Sequence, residues 1–120
     1  MVMVPPPPAS VLLRIFIAEG DRYGHHPLYE AIVLKAREVN LAGATVLRGA
    51  IGYGASHHLH TMKILRLSTD LPLVVEIVDD EAKIEAFLPE LDRMMEGGLV
   101  TLEKVRVIHY GPKSKENNGQ

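Results

Sequence analysis

Gly43-Ala44-Thr45-Val46-Leu47-Arg48-Gly49-Ala50-Ile51-Gly52-Tyr53-Gly54-Ala55-Ser56 is a helix stop followed by a strand that ends in a glycine-flanked tyrosine. Gly43 suits the left-handed position that closes a helix, and residues 44–51 supply β-branched side chains for a strand. Gly52 and Gly54 free the backbone where that strand gives out. Residues 54–69 then carry His57, His58, His60, Lys63 and Arg66 and little obvious core. A connection this long is usually functional or disordered, so the loop is where function is expected.

Working outward, residues 11–17 are almost continuously apolar and β-branched, as expected of a covered strand. Arg14 interrupts them and either reaches a sheet surface or pairs across the sheet, a structural pairing being the commoner outcome. Pro27 sits at the first position of a helix, with Leu28, Ala31, Ile32, Ala36 and Val39 on one face. Beyond the glycine loop, residues 62–67 alternate apolar and basic and could extend a hairpin arm. Residues 73–78, opened by Pro72, form a third buried strand. Asp79 and Asp80 suit the cap of a second helix whose face is Ile84, Phe87, Leu88, Leu91, Met94 and Met95. Pro89 predicts a bend or break in it, and Gly97-Gly98 its end. Residues 99–110 are again β-rich, with Val105 and Val107 on one face and Lys104, Arg106 and Ile108 on the other.

This order gives an α+β fold, a ferredoxin-like βαββαβ sandwich with a long loop or hairpin arm after strand two. Two helices cover only one face of the sheet. The other face needs a cover, and self-association is the economical one.

A chain of 120 residues that is 47% hydrophobic fits one domain. Residues 1–10 are expected to be a flexible proline-rich tail, 11–110 the folded domain and 111–120 a second flexible tail. The start has neither a signal peptide nor a membrane span, which predicts a cytoplasmic protein. A formal charge of −2 with mixed signs along the chain speaks against nucleic acid as the main partner. Without cysteine there is no thiolate metal site, disulfide or cysteine nucleophile. No nucleophile with its base, and no phosphate loop with its lysine, can be assembled, so the chain is not read as an enzyme.

Gly43-Ala44-Thr45-Val46, Gly52-Tyr53-Gly54 and Leu71-Pro72 resemble the PII signalling proteins. With Glu19-Gly20-Asp21 and Asp70-Leu71-Pro72-Leu73 added, the chain looks still more like the uncharacterised bacterial family classed as PII-like, and the likeness covers most of the chain. The resemblance implies a homotrimer with a small-molecule effector bound in clefts between subunits. An adenine nucleotide is the first candidate ligand, no cofactor is implied, and a membrane transporter or channel is the implied protein partner. Gly52, Tyr53 and Gly54 match the PII loop entry, and Arg106 matches the first of two phosphate-binding arginines. Leu73 and Ile108 stand where PII has a lysine and the second arginine, and residues 96–99 lack the lysines of its phosphate loop. These departures imply weaker binding than in PII. The same fold occurs in copper-tolerance proteins of the CutA type, which gives divalent metal binding as the alternative function.

The candidate ligand-binding residues are therefore Gly52, Tyr53, Gly54, Gly97, Gly98 and Arg106. Gly97-Gly98 reads either as a helix stop or as a cradle of backbone N–H groups for an anion. Tyr53 could stack on a ring or pack against its own hinge. His57, His58 and His60 are weak metal candidates, joined by His25 and His26 only if the fold brings the loops together; solvated loop histidines are the other reading.

Overall fold

The computed structural model describes residues 9–61 and 70–111. Strand β1 is Ser10–Ala18, followed by the short pair β2 Arg22–Tyr23 and β3 His26–Pro27, then helix α1 Leu28–Glu38. Strand β4 is Thr45–Arg48, and β5 Ile51–Gly52 and β6 His60–Thr61 form a second short pair. Strand β7 Pro72–Asp80, helix α2 Glu81–Met94 and strand β8 Leu99–Val105 complete the order. Four strands make an antiparallel sheet in the order β4-β7-β1-β8, which is the ferredoxin-like plait expected from the sequence. Among the described residues no helix is long and apolar enough to cross a membrane.

The strict alternation of β1 and β7 divides the sheet. Val11, Leu13, Ile15 and Ile17 of β1 and Leu73, Val75 and Ile77 of β7 are buried on one face. They pack against Leu28, Ile32 and Ala36 of α1 and Ile84, Phe87, Leu91 and Met94 of α2, spaced three and four apart as one helical stripe requires. Register places Leu12, Arg14, Phe16, Val74, Glu76 and Val78 on the opposite face, which neither α1 nor α2 covers. There Arg14 Nε donates to Glu76 Oε2 and Nη1 to Glu103 Oε1, each at 2.9 Å, the cross-sheet pairing expected of this arginine. The Glu76 hydrogen bond, helped by the charges of Glu76 and Glu103, holds the guanidinium above its ordinary pKa.

The structure corrects several local expectations. Asn40, at φ 65°, takes the left-handed position after α1, not Gly43. The N–H groups of Leu41 and Asn40 reach back to the carbonyls of Ala36 and Arg37, a Schellman closure in which buried Leu41 supplies the apolar contact. Pro27 lies one residue before α1 and belongs to β3. Asp80 stands at the start of α2 without a side-chain capping bond. Asp79 instead accepts the Ala42 N–H at 2.8 Å, tying the loop after α1 to the end of β7. Helix α2 runs through Pro89 unbroken. Strand two is shorter than expected because β4 leaves the sheet after Arg48, and the last strand ends at Val105. The expected strand over 62–67 lies outside the described residues.

Candidate functional site

At the Ala18 end of β1 the chain turns through Glu19, Gly20 and Asp21. Asp21 Oδ2 accepts the Ala18 N–H at 3.0 Å, and the Asp21 carbonyl accepts the Leu28 N–H that opens α1. Glu19 N–H donates to the Leu71 carbonyl at 2.8 Å, and Gly20 N–H donates to Asp70 Oδ1 at 2.6 Å. A Cβ on Gly20 would lie 2.8 Å from that same Asp70 oxygen, so glycine is needed for the carboxylate to close on the backbone. The stretches 19–21 and 70–73, fifty residues apart, are thus two halves of one junction. Arg48 Nη2 binds Glu19 Oε2 at 2.5 Å and fastens the end of β4 to it.

Beyond β4, Gly49 N–H donates to the Pro72 carbonyl at 2.7 Å. The chain then departs from the main sheet, and β5 pairs with β6 so that Gly52 faces His60. Tyr53, 66% exposed, stacks on His57 with ring centroids 5.4 Å apart. His58 meets His60 edge to face at 4.9 Å. His60 Nδ1 lies 3.3 Å from Asp70 Oδ2, and the His60 side chain is only 14% exposed.

Between this hairpin, the end of the sheet and the segment before β8 lies a cleft of about 970 Å³. Its apolar surface includes Phe16, Ile17, Leu28, Leu73 and Val74; its polar rim carries Asp21, Arg22, His58, His60, Asp70 and Glu96. Arg22 also donates to the His25 carbonyl at 2.7 Å. Among the described residues of the rim the carboxylates outnumber the one arginine, so a strongly anionic ligand is favoured by a further cation.

Five of the six residues singled out in the sequence line this cleft: Gly52, Tyr53, Gly54, Gly97 and Gly98. Gly98 has φ +98°, and a Cβ there would lie 2.7 Å from the Phe16 carbonyl. Its glycine is explained by the turn into β8. Gly97 faces open space and carries no such constraint. Arg106 follows β8 at the end paired with Ser10, whereas the cleft lies at the Ala18 end. Eight residue steps along β1 make that about 25 Å, so Arg106 can join a cleft only from a neighbouring copy. His58 and His60 line the cleft and His57 does not. Among the described residues no group of three or more His, Asp or Glu is arranged to hold a metal.

Reasoning from sequence did not place Asp21, Arg22, Asp70 or Glu96 in the site. Each looks like a solvated loop residue until the fold brings four separate segments to one end of the sheet.

The fold is shared with two solved structures. CPII, a nitrogen regulatory PII-like protein from Thiomonas intermedia K12 bound to ADP, AMP and bicarbonate, superposes with a TM-score of 0.57 over 82% of this chain and 88% of its own, at 16% identity. CutA1 from Oryza sativa gives 0.50 over 87% and 84%, at 12% identity. Likeness at such identities shows the fold alone. A UPF0166 protein of Aquifex aeolicus is 43% identical over 98 residues, covering 82% of this chain and 92% of its own length. Another, from Methanocaldococcus jannaschii, is 33% identical over 97 residues, covering 80% and 89%. The family profile DUF190, described as an uncharacterized ACR, matches residues 10–107, and with relatives this similar over most of their length the chain belongs to that family, within the PII and CutA-like group of folds.

Proposed function

We propose that this chain is a PII-like regulator whose cleft takes a small ligand and whose 54–69 segment passes the signal to a partner. The observation that carries the reading is the cleft itself. Both glycine stretches converge on it, and so do His60 and Asp70, the residues that flank 62–69 on either side. A ligand seated there touches both ends of the loop at once, so an affinity that differs between two loop arrangements shifts their populations. An adenine nucleotide is the first candidate. The apolar surface suits a base, the largely exposed ring of Tyr53 lines the cleft beside it, and CPII, which shares the fold, was solved with ADP and AMP. A membrane transporter is the partner class suggested by the family likeness.

A further cation is supplied in this reading by Arg106 of a neighbouring copy, in a homotrimer assembled through the uncovered sheet face. Arginine gives a phosphate a charge-assisted, bidentate contact. Loss of such a bond costs about 1.5 to 3 kcal/mol, so Arg106→Ala is expected to weaken nucleotide binding roughly tenfold or more. Calorimetric titration with ADP, AMP and ATP, alongside amide exchange over 54–61, tests the reading. Binding accompanied by slower exchange supports it. No binding across that panel, or an affinity indifferent to Arg106→Ala, overturns this assignment.

A further inference from the structure

We propose that an anion entering the cleft is bound together with a proton at His60, with Asp70 as the fixed counter-charge; this rests on the reading of the cleft as a site for a phosphate-bearing ligand. The His60 ring stands between two places where negative charge collects. On one side Nδ1 is buried, 3.3 Å from Asp70 Oδ2, yet it makes no hydrogen bond of good geometry. Asp70 cannot withdraw easily, because its other oxygen holds the Gly20 N–H at 2.6 Å. On the other side the ring lines the cleft, and since Nδ1 is buried, the exposed part of the ring belongs to its other atoms.

A neutral imidazole has one N–H and one lone pair. If the N–H at Nε2 donates to an incoming anion, the lone pair at Nδ1 is left facing the Asp70 carboxylate. If the proton sits at Nδ1, the lone pair at Nε2 faces the anion. Only the imidazolium satisfies both sides, each through a charge-assisted hydrogen bond. Binding therefore draws one proton from solvent onto His60 and closes the His60–Asp70 contact. That contact joins β6 to the junction at Gly20, so the proton also sets the separation of the hairpin from the main sheet.

The other charged groups among the described residues do not change this sign. Asp21 and Glu96, on the turn after β1 and the segment before β8, line the same cleft and favour a cation within it. Arg22 opposes them while donating to the His25 carbonyl. Glu19 is paired with Arg48. His58, edge-on to His60, is the second titratable ring, and it lacks a carboxylate behind it among the contacts of the described residues.

The experiment is calorimetry of the full-length chain with ADP as the probe, in buffers of different ionisation enthalpy at about pH 7.5, within the range where histidine changes charge. Wild type is expected to take up a substantial fraction of a proton per site, with affinity rising as pH falls, by at most about tenfold per unit. ADP's own phosphate titration is common to every variant, so the comparison with His60→Gln isolates the ring. His60→Gln should abolish the excess uptake. Asp70→Asn, which keeps an acceptor for Gly20, should reduce it. NMR of the histidine rings in the wild-type chain reads the same event without substitution, as a shift of His60 toward imidazolium on adding ADP. Binding without excess uptake, or uptake that survives His60→Gln, overturns the proton coupling and leaves the ligand reading standing. Failure of ADP, AMP and ATP alike to bind overturns both.

Discussion

Gly97 and Gly98 are adjacent in the chain and opposite in their demands. Gly98 holds φ +98° with the Phe16 carbonyl 2.7 Å from any Cβ, so Gly98→Ala is expected to cost about 1 to 3 kcal/mol, read from chemical denaturation. Gly97 has open space around its missing side chain, and Gly97→Ala should stay within about 0.5 kcal/mol of wild type. This pair separates the two meanings of the dipeptide. If Gly97→Ala weakens nucleotide binding at unchanged stability, the backbone there contacts the ligand; if it changes neither, the dipeptide is a turn and nothing more.

At the scale of the element, α2 carries Pro89 in its interior without interruption. Proline removes one backbone hydrogen bond and disfavours the turn before it. The apolar stripe of Ile84, Phe87, Leu91 and Met94, buried against the sheet, holds the helix together across that point. Pro89 itself is exposed, so Pro89→Ala loses no packing. It should raise stability by about 1 to 2 kcal/mol, the helical gain of up to about 3 kcal/mol being offset by a more flexible unfolded chain. A higher denaturation midpoint at unchanged slope is the expected signature; a lower midpoint would mean that the proline shapes the packing of α2. On the same helix the Arg93 hydrogen bond, with the charges of Arg93 and Lys35, holds the Glu90 carboxyl below its usual range. These contacts are exposed, so they steer the α1–α2 face more than they stabilise it.

For the molecule as a whole, the homotrimer proposed above would assemble through the uncovered sheet face. Leu47, Val78 and Leu99 lie there, 49%, 37% and 57% exposed, around the central Arg14–Glu76–Glu103 pairs. An apolar surface with a satisfied ionic centre is suited to a symmetric contact, in which the pairs fix register while the apolar ring supplies the association. Val78 is on this face and away from the cleft, so Val78→Lys is expected to dissociate the oligomer into monomers with an unchanged circular dichroism spectrum. Light scattering checks it. An assembly indifferent to Val78→Lys would place the interface elsewhere.

The sequence by itself determined the plait. The apolar, β-branched runs over 11–17 and 73–78 read as covered strands and the stripes of α1 and α2 as amphipathic helices, because a helix that must bury one face repeats its apolar residues at a spacing fixed by backbone geometry; which residues of each strand face the helices only the packed sheet showed. The Arg14 ion pair was legible for the same reason, a charge in a strand having few ways to be satisfied. The sequence also marked Gly52, Tyr53, Gly54, Gly97 and Gly98 as residues of one place, through family likeness more than through any spacing. Tertiary structure decided what local pattern could not. Asn40 took the helix stop from Gly43 because the Schellman closure needs its partner Leu41 buried next to it. Asp79 left its helix to hold Ala42, and Asp70 crossed fifty residues to hold Gly20. A short polar side chain has several acceptors' worth of choices within reach of its own segment, and only the packed chain sets which N–H arrives. The cleft belongs to the same class: it exists where four segments end together, and no single one of them carries its shape or its charge.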